Sequence, residues 1–213
     1  VSPAPNKQQT TARKYAWLKP GVLTGALVPL LLLGVRAYRH TLGADPVALA
    51  LNQLGLLALI FLVASLAATP LKIVFSLTWP LRIRRMLGVL SFFYASLHFL
   101  LYAVIDQGLA WQRIFKDVLE RKFITVGFSA FLLLIPLAIT STNRMRKRLG
   151  NVRWTRLHRL AYLAALLAAI HFVWRVKRDF SQPTAYALVL GVLFAARLAD
   201  LYRRRTLARG ALR

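Results

Sequence analysis

The chain has 213 residues, 58% of them hydrophobic, and carries 30 Lys and Arg against 6 Asp and Glu, a formal charge of +24. No ordinary soluble domain needs that much apolar surface, and several apolar runs reach membrane-spanning length. There is no cysteine, which excludes disulfides, Cys-ligated zinc, iron–sulfur clusters and covalently attached c-type haem. The basic residues lie between the apolar runs, so membrane topology explains them and nucleic acid does not.

In chain order, residues 1–16 are polar, with Pro3, Pro5 and a QQTTA run, and read as a disordered cytoplasmic tail. The first apolar run lacks a clear small-residue cleavage site, so a cleaved signal peptide is not expected. Six spans follow, at about 20–37, 47–68, 86–105, 123–140, 153–174 and 183–201. Pro29 should kink the first. Thr69–Pro70 is expected to end the second. The third holds His98. The fifth, RWTRLHRLAYLAALLAAIHFVW, reads as one continuous helix with His158 and His171 thirteen residues apart. The loop 141–156 between spans four and five is strongly basic. The expectation is an all-α, polytopic six-helix transmembrane bundle over residues 17–202, with a basic cytoplasmic tail at 203–213. No nucleophile elbow, phosphate-binding glycine loop or paired-carboxylate site is present.

Lys and Arg set the orientation. With the N-terminus inside, the inner segments carry 19 of them and the outer loops 9. Five of the six acidic residues, Asp45, Asp106, Asp117, Glu120 and Asp179, fall outside. Both termini are therefore expected in the cytoplasm. All five tryptophans, Trp17, Trp79, Trp111, Trp154 and Trp174, fall beside span ends, where an aromatic belt would place them.

This orientation gives the histidines depths. His98 and His171 lie towards the outer face on two different spans. Ionisable groups inside a span are functional candidates, and two imidazoles from facing helices can take both axial positions of one haem. His158 lies near the inner face. The position where its partner is expected, about one level below His98, is occupied by Arg84 beside Arg85. An inner haem would be held by His158 alone, by an unidentified sixth ligand, or be absent. An ideal helix also sets His158 and His171 about 140° apart; a π-bulge, or groups approached from different sides, would resolve this. Arg159 either neutralises a propionate or snorkels to lipid headgroups. Arg175, Lys177 and Arg178 contact an outer haem's propionates, meet an acidic partner, or are solvated. The 141–156 cluster is a topology signal that could also receive a flavin phosphate or an acidic flavoprotein. His40 reads as a solvated loop residue.

The stretch at 153–174, GVLSFFYASLHFLLY around His98, and LAITSTN at the end of span four resemble the ferric reductase-like transmembrane family, which includes NADPH oxidases and metalloreductases. Within it, the short length, the lack of a dehydrogenase domain and TPLK at 69–72 are similar to bacterial subunits that serve periplasmic methionine sulfoxide reduction. The resemblance implies a b-type haem protein of the bacterial inner membrane, with one or two haems. It implies His98, His158 and His171 as axial iron ligands; Arg84, Arg159 and Arg175 are candidate propionate or inner-site contacts by their positions beside them. It implies electron delivery to a periplasmic MsrP-like molybdopterin enzyme. Quinol or a cytosolic flavin reductase is the implied donor, and FMN an implied further cofactor. On this reading the chain carries electrons and makes or breaks no substrate bond itself. The alternatives are another ferric reductase-like haem carrier, a non-haem proton-coupled transporter, or a subunit that only anchors a partner.

The charge bias makes a direct prediction. Reporter fusions at the C-terminal end should give a cytoplasmic signal, and fusions in the 106–122 loop a periplasmic one. The reverse pattern would invert every depth assigned above.

Overall fold

The computed structural model describes residues 15–176 and 179–210. Among them the chain is all-α, with no strand. The helices are α1 (Leu18–Tyr38), α2 (Pro46–Phe75), α3 (Pro80–Leu101, prolonged by a π turn at Tyr102–Asp106), α4 (Trp111–Glu120), α5 (Lys122–Ile139), α6 (Asn143–Leu149), α7 (Asn151–Leu157), α8 (Leu160–Arg175) and α9 (Ser181–Gly210). Six segments are long and apolar enough to cross a membrane: Leu18–Tyr38, Pro46–Phe75, Pro80–Asp106, Lys122–Ile139, Asn151–Arg175 and Ser181–Leu207. The chain divides into two compact units between Ala50 and Leu51. The first holds α1 and the start of α2. Every residue of the candidate site belongs to the second. The expected disordered tail lies outside the described residues up to Tyr15, as do Lys177, Arg178 and the last three positions.

The second unit is built on close helix contact. Ala164, Ala165 and Ala169 of α8 are buried, and they share one cluster with Leu134 and Leu137 of α5, Leu59, Leu62, Val63 and Leu66 of α2, and Leu190 of α9. Lipid tails are as apolar as leucine, so spanning helices associate through packing, and small residues let backbones approach. The opposite faces stay open: Leu132, Leu166, Leu188 and Val192 are all exposed. Such a surface would aggregate in water and is covered by a bilayer.

Several boundaries differ from the sequence reading. α2 does not stop at Thr69–Pro70 but runs on to Phe75. Proline has no N–H, so the carbonyl of Leu66, four residues earlier, loses its helical partner. Arg197 Nη2 of α9 supplies one, donating to the Leu66 oxygen at 2.8 Å. Arg197 also donates to the Tyr162 hydroxyl and stacks over the Tyr162 ring. The proline is tolerated because a neighbouring helix satisfies the freed group.

The fifth span is not one helix. It breaks at His158–Arg159, between α7 and α8. Short-range bonds from Arg159 N to Arg156 O and from Tyr162 N to Arg159 O tighten the chain there. The break removes the angular problem of placing His158 and His171 on one ideal helix. The third difference is at 141–156, which holds the short helices α6 and α7 in place of an open loop. α9 likewise carries the helix through 203–210, into the stretch read as a tail. Trp154 also leaves the aromatic-belt pattern: it is buried and stacks on His158, with ring centroids 3.9 Å apart.

Ala165 has no exposed surface at this packed junction. Ala165→Leu should therefore overpack the α5–α8 contact and cost about 1–3 kcal/mol. In detergent it should melt below the parent, while the same change at the exposed Ala187 should leave melting unaltered.

Candidate functional site

His98 of α3 and His171 of α8 face one another. Their ring centroids are 6.3 Å apart and their planes cross at 80°. Each is held by a main-chain oxygen of a different helix. His98 Nδ1 lies 2.8 Å from the Leu51 carbonyl of α2, and His171 Nδ1 lies 2.7 Å from the Phe123 carbonyl of α5. A carbonyl only accepts, so both Nδ1 atoms donate. In the neutral ring this leaves each Nε2 with its lone pair free. Two glycines lie against the rings: a Cβ on Gly55 would stand 3.2 Å from His98 Nδ1, and one on Gly127 would stand 2.5 Å from His171 Nδ1.

Both imidazoles line a chamber of about 360 Å³. Its depth is apolar, with Leu59, Leu62, Phe99, Phe131 and Leu134. Phe99 stacks on Phe131, and Phe131 on Phe92, at centroid separations of 5.2 and 5.8 Å. Its rim is polar, with Asn52, Asp106, Arg121 and Arg175. Arg175 donates to the Asn52 side chain. Asp117 of α4 accepts from the Tyr102 hydroxyl at 3.0 Å and pairs with Arg121 at 3.2 Å. The Tyr102 bond ties α4 to the end of α3, and the Arg121 pair closes the last turn of α4.

The gap between the rings suits one metal centre bound from two sides. Two metal–imidazole bonds of about 2.0–2.1 Å each, plus two ring radii, add up to about 6 Å. Among the described residues no group of three or more His, Cys, Asp or Glu could hold a metal ion by itself. Two imidazoles cannot complete a four-ligand structural site. A metal whose remaining ligands come from a macrocycle fits such a pair.

His158 is not in this chamber. It lines a second one of about 780 Å³, with Arg84, Arg85, Arg159, Arg197 and Arg205. Leu62 and Leu134 line both chambers. Thr140 Oγ1 donates its one hydrogen to the Pro136 carbonyl at 2.6 Å. Towards His158 Nε2, 3.2 Å away, the same oxygen must accept. His158 Nε2 therefore carries the hydrogen, the opposite tautomer to the facing pair. Trp154 Nε1 donates to the Thr140 carbonyl at 2.9 Å and closes this corner.

The structure thus brings His98, His171 and Arg175 to one chamber and His158, Arg84 and Arg159 to the other. Sequence reasoning missed Gly55, Gly127, Asn52 and Thr140, and the Leu51 and Phe123 carbonyls. The glycines did leave a signal: mid-helix glycine costs about 1 kcal/mol relative to alanine and often marks close packing.

The comparisons agree with this architecture. A model of the ferric reductase like transmembrane component matches residues 50–169. That range contains α2 from Ala50, all of α3 to α7 and most of α8, but stops just short of His171. Curated relatives match over most of the chain. One from Rhodospirillum rubrum is 48% identical across 86% of this chain and 88% of its own length. One from Deinococcus radiodurans is 52% identical across 86% and 91%, and one from Ralstonia nicotianae 42% identical across 93% and 90%. Each is named protein-methionine-sulfoxide reductase heme-binding subunit MsrQ. On both counts this multi-pass membrane chain belongs to the ferric reductase-like transmembrane family, and within it to the group of the MsrQ subunits.

Proposed function

We propose that the chain is the haem-binding, electron-transferring membrane subunit of a system that reduces methionine sulfoxide in proteins. The observation that carries this reading is the facing pair His98 and His171, each with Nδ1–H tied to a carbonyl and Nε2 free. The residues fit a b-type haem: two neutral imidazoles at coordination spacing, apolar walls, a cationic rim and no thiol to attach it covalently. When bound, haem supplies a one-electron carrier. The chain's own residues do the rest. The carbonyls of Leu51 and Phe123 fix the imidazole tautomers and make the rings better donors. The phenylalanine wall keeps water out. Arg175 and Arg121 offer positive charge to propionates.

In this reading the second chamber serves the electron-donor side, in the cytoplasmic half of a bacterial inner membrane. Arg84 and Arg159 lie at a cavity whose described lining has Asp200 as its one carboxylate. That charge suits a planar anionic redox group, a second haem or FMN, reduced by quinol or by a cytosolic flavin reductase. His158 could become an axial ligand there through Nδ1, or through Nε2 after giving up Thr140. The acceptor is a periplasmic MsrP-like molybdoenzyme. A proton-coupled transporter is the weaker reading, because the described carboxylate lining the chamber of the facing pair is Asp106, at the end of its span and not deep within it.

Spectra of the purified protein, oxidised and then reduced, with a pyridine extract, test the proposal. A Soret band and haem b are expected; folded protein from haem-replete cells without them would sink it. His98→Ala and His171→Ala should each abolish the bis-imidazole signature. The double variant should lose little more than either single, since both act through one iron. His158→Ala should keep that signature and slow reduction from the donor side. Loss of all haem in His158→Ala, with His98→Ala unaffected, would reverse the assignment.

A further inference from the structure

The two histidine seats share a pattern that neither ring explains alone. In an α-helix the carbonyl of residue i accepts from the N–H of residue i+4. For Leu51 that residue is Gly55, and for Phe123 it is Gly127. Each histidine therefore bonds a carbonyl whose one-turn neighbour is a glycine. Helical side chains point back towards the N-terminus and cover the preceding turn. Any side chain at i+4 would stand over the carbonyl at i. A glycine leaves that oxygen bare, and its second lone pair can take a bond from outside the helix.

We propose that Gly55 and Gly127 are positioning residues: each uncovers a helix carbonyl so that an imidazole from another helix can dock Nδ1-first. This fixes Nε2 as the ligand atom. The inference rests on the haem reading only for what Nε2 then binds.

The two seats differ in tolerance. A Cβ on Gly127 would meet His171 Nδ1 at 2.5 Å, Cε1 at 2.8 Å and Cγ at 2.9 Å. The ring cannot retreat that far without leaving the Phe123 oxygen, which belongs to the same helix as the new methyl group. A Cβ on Gly55 would meet His98 Nδ1 at 3.2 Å and Cε1 at 3.3 Å. A shift of a few tenths of an ångström relieves that contact, and the 2.8 Å bond to Leu51 can lengthen within normal hydrogen-bond range. Gly127 is thus the strict seat and Gly55 the lenient one. Neither glycine is there for helix stability, because alanine is the better helix former.

Gly55→Ala, Gly127→Ala, His171→Ala and the Gly127→Ala/His171→Ala double variant separate the cases. In haem-loaded protein, Gly127→Ala should convert the six-coordinate low-spin spectrum to a high-spin one and loosen haem retention by about 10–100-fold. Gly55→Ala should stay low-spin. The double variant should match His171→Ala alone, because Gly127 acts only through that ring. In haem-free protein, nitrogen-15 NMR of labelled histidine reads the tautomer directly. His171 should carry its hydrogen on Nδ1 in the parent and lose that state in Gly127→Ala, while His98 keeps it. The haem-free measurement holds even if the parent binds no haem, so failure of the haem reading and failure of the seat are distinguishable. If Gly127→Ala does not fold, the double variant, which lacks the clashing ring, should fold. An unchanged His171 tautomer and spin state in Gly127→Ala, or a double variant that still does not fold, would overturn the proposal.

Discussion

The structure turns on two hydrogen bonds from imidazole to main chain, His98 to Leu51 and His171 to Phe123. Each joins a histidine-bearing helix to a different neighbour, α3 to α2 and α8 to α5. They therefore act as cross-links between helices as well as supports for a ligand site. In an apolar surrounding, an imidazole with no partner on either nitrogen is costly. Satisfying Nδ1 through the backbone removes part of that cost. The other nitrogen stays open on a cavity, a remaining demand that a bound metal would meet.

The second chamber follows a different logic. Its histidine meets Thr140 through Nε2 and is covered by Trp154. Its chemistry comes from guanidinium groups. Arg197 shows how one such group is retained inside a span. It bonds the Leu66 carbonyl that Pro70 strips of its helical partner, and it rests on Tyr162. A proline in one helix and a cation in another thus complete one another. Leu62 and Leu134 border both chambers, so the two sites share an apolar partition.

Close backbone approach makes both arrangements possible. The alanines of α8 let α5 come near enough for Phe123 to reach His171, and the same face packs on α2. Glycine at 55 and 127 extends this to contact with the rings. A helix pair spaced by larger side chains would hold the same histidines but could not bring them to the carbonyls.

Much of this was legible in the amino-acid order. The six apolar runs, their basic flanks and the absence of cysteine determine an all-α membrane chain, because length and polarity alone decide what can span a bilayer. The shared depth of His98 and His171 is a one-dimensional quantity that counting residues recovers; that the rings meet is a matter of rotation. What only the tertiary structure decided depends on rotation and on contacts between distant segments. Counting could not show that the fifth span breaks at His158, where the ring meets Thr140 of another segment and stacks on Trp154. Nor could it show that α2 continues past Pro70, because the compensating donor is 131 residues away in sequence. The two ring tautomers, opposite in the two chambers, were equally beyond reach. They are set by which oxygen each nitrogen meets, and local sequence carries no record of that.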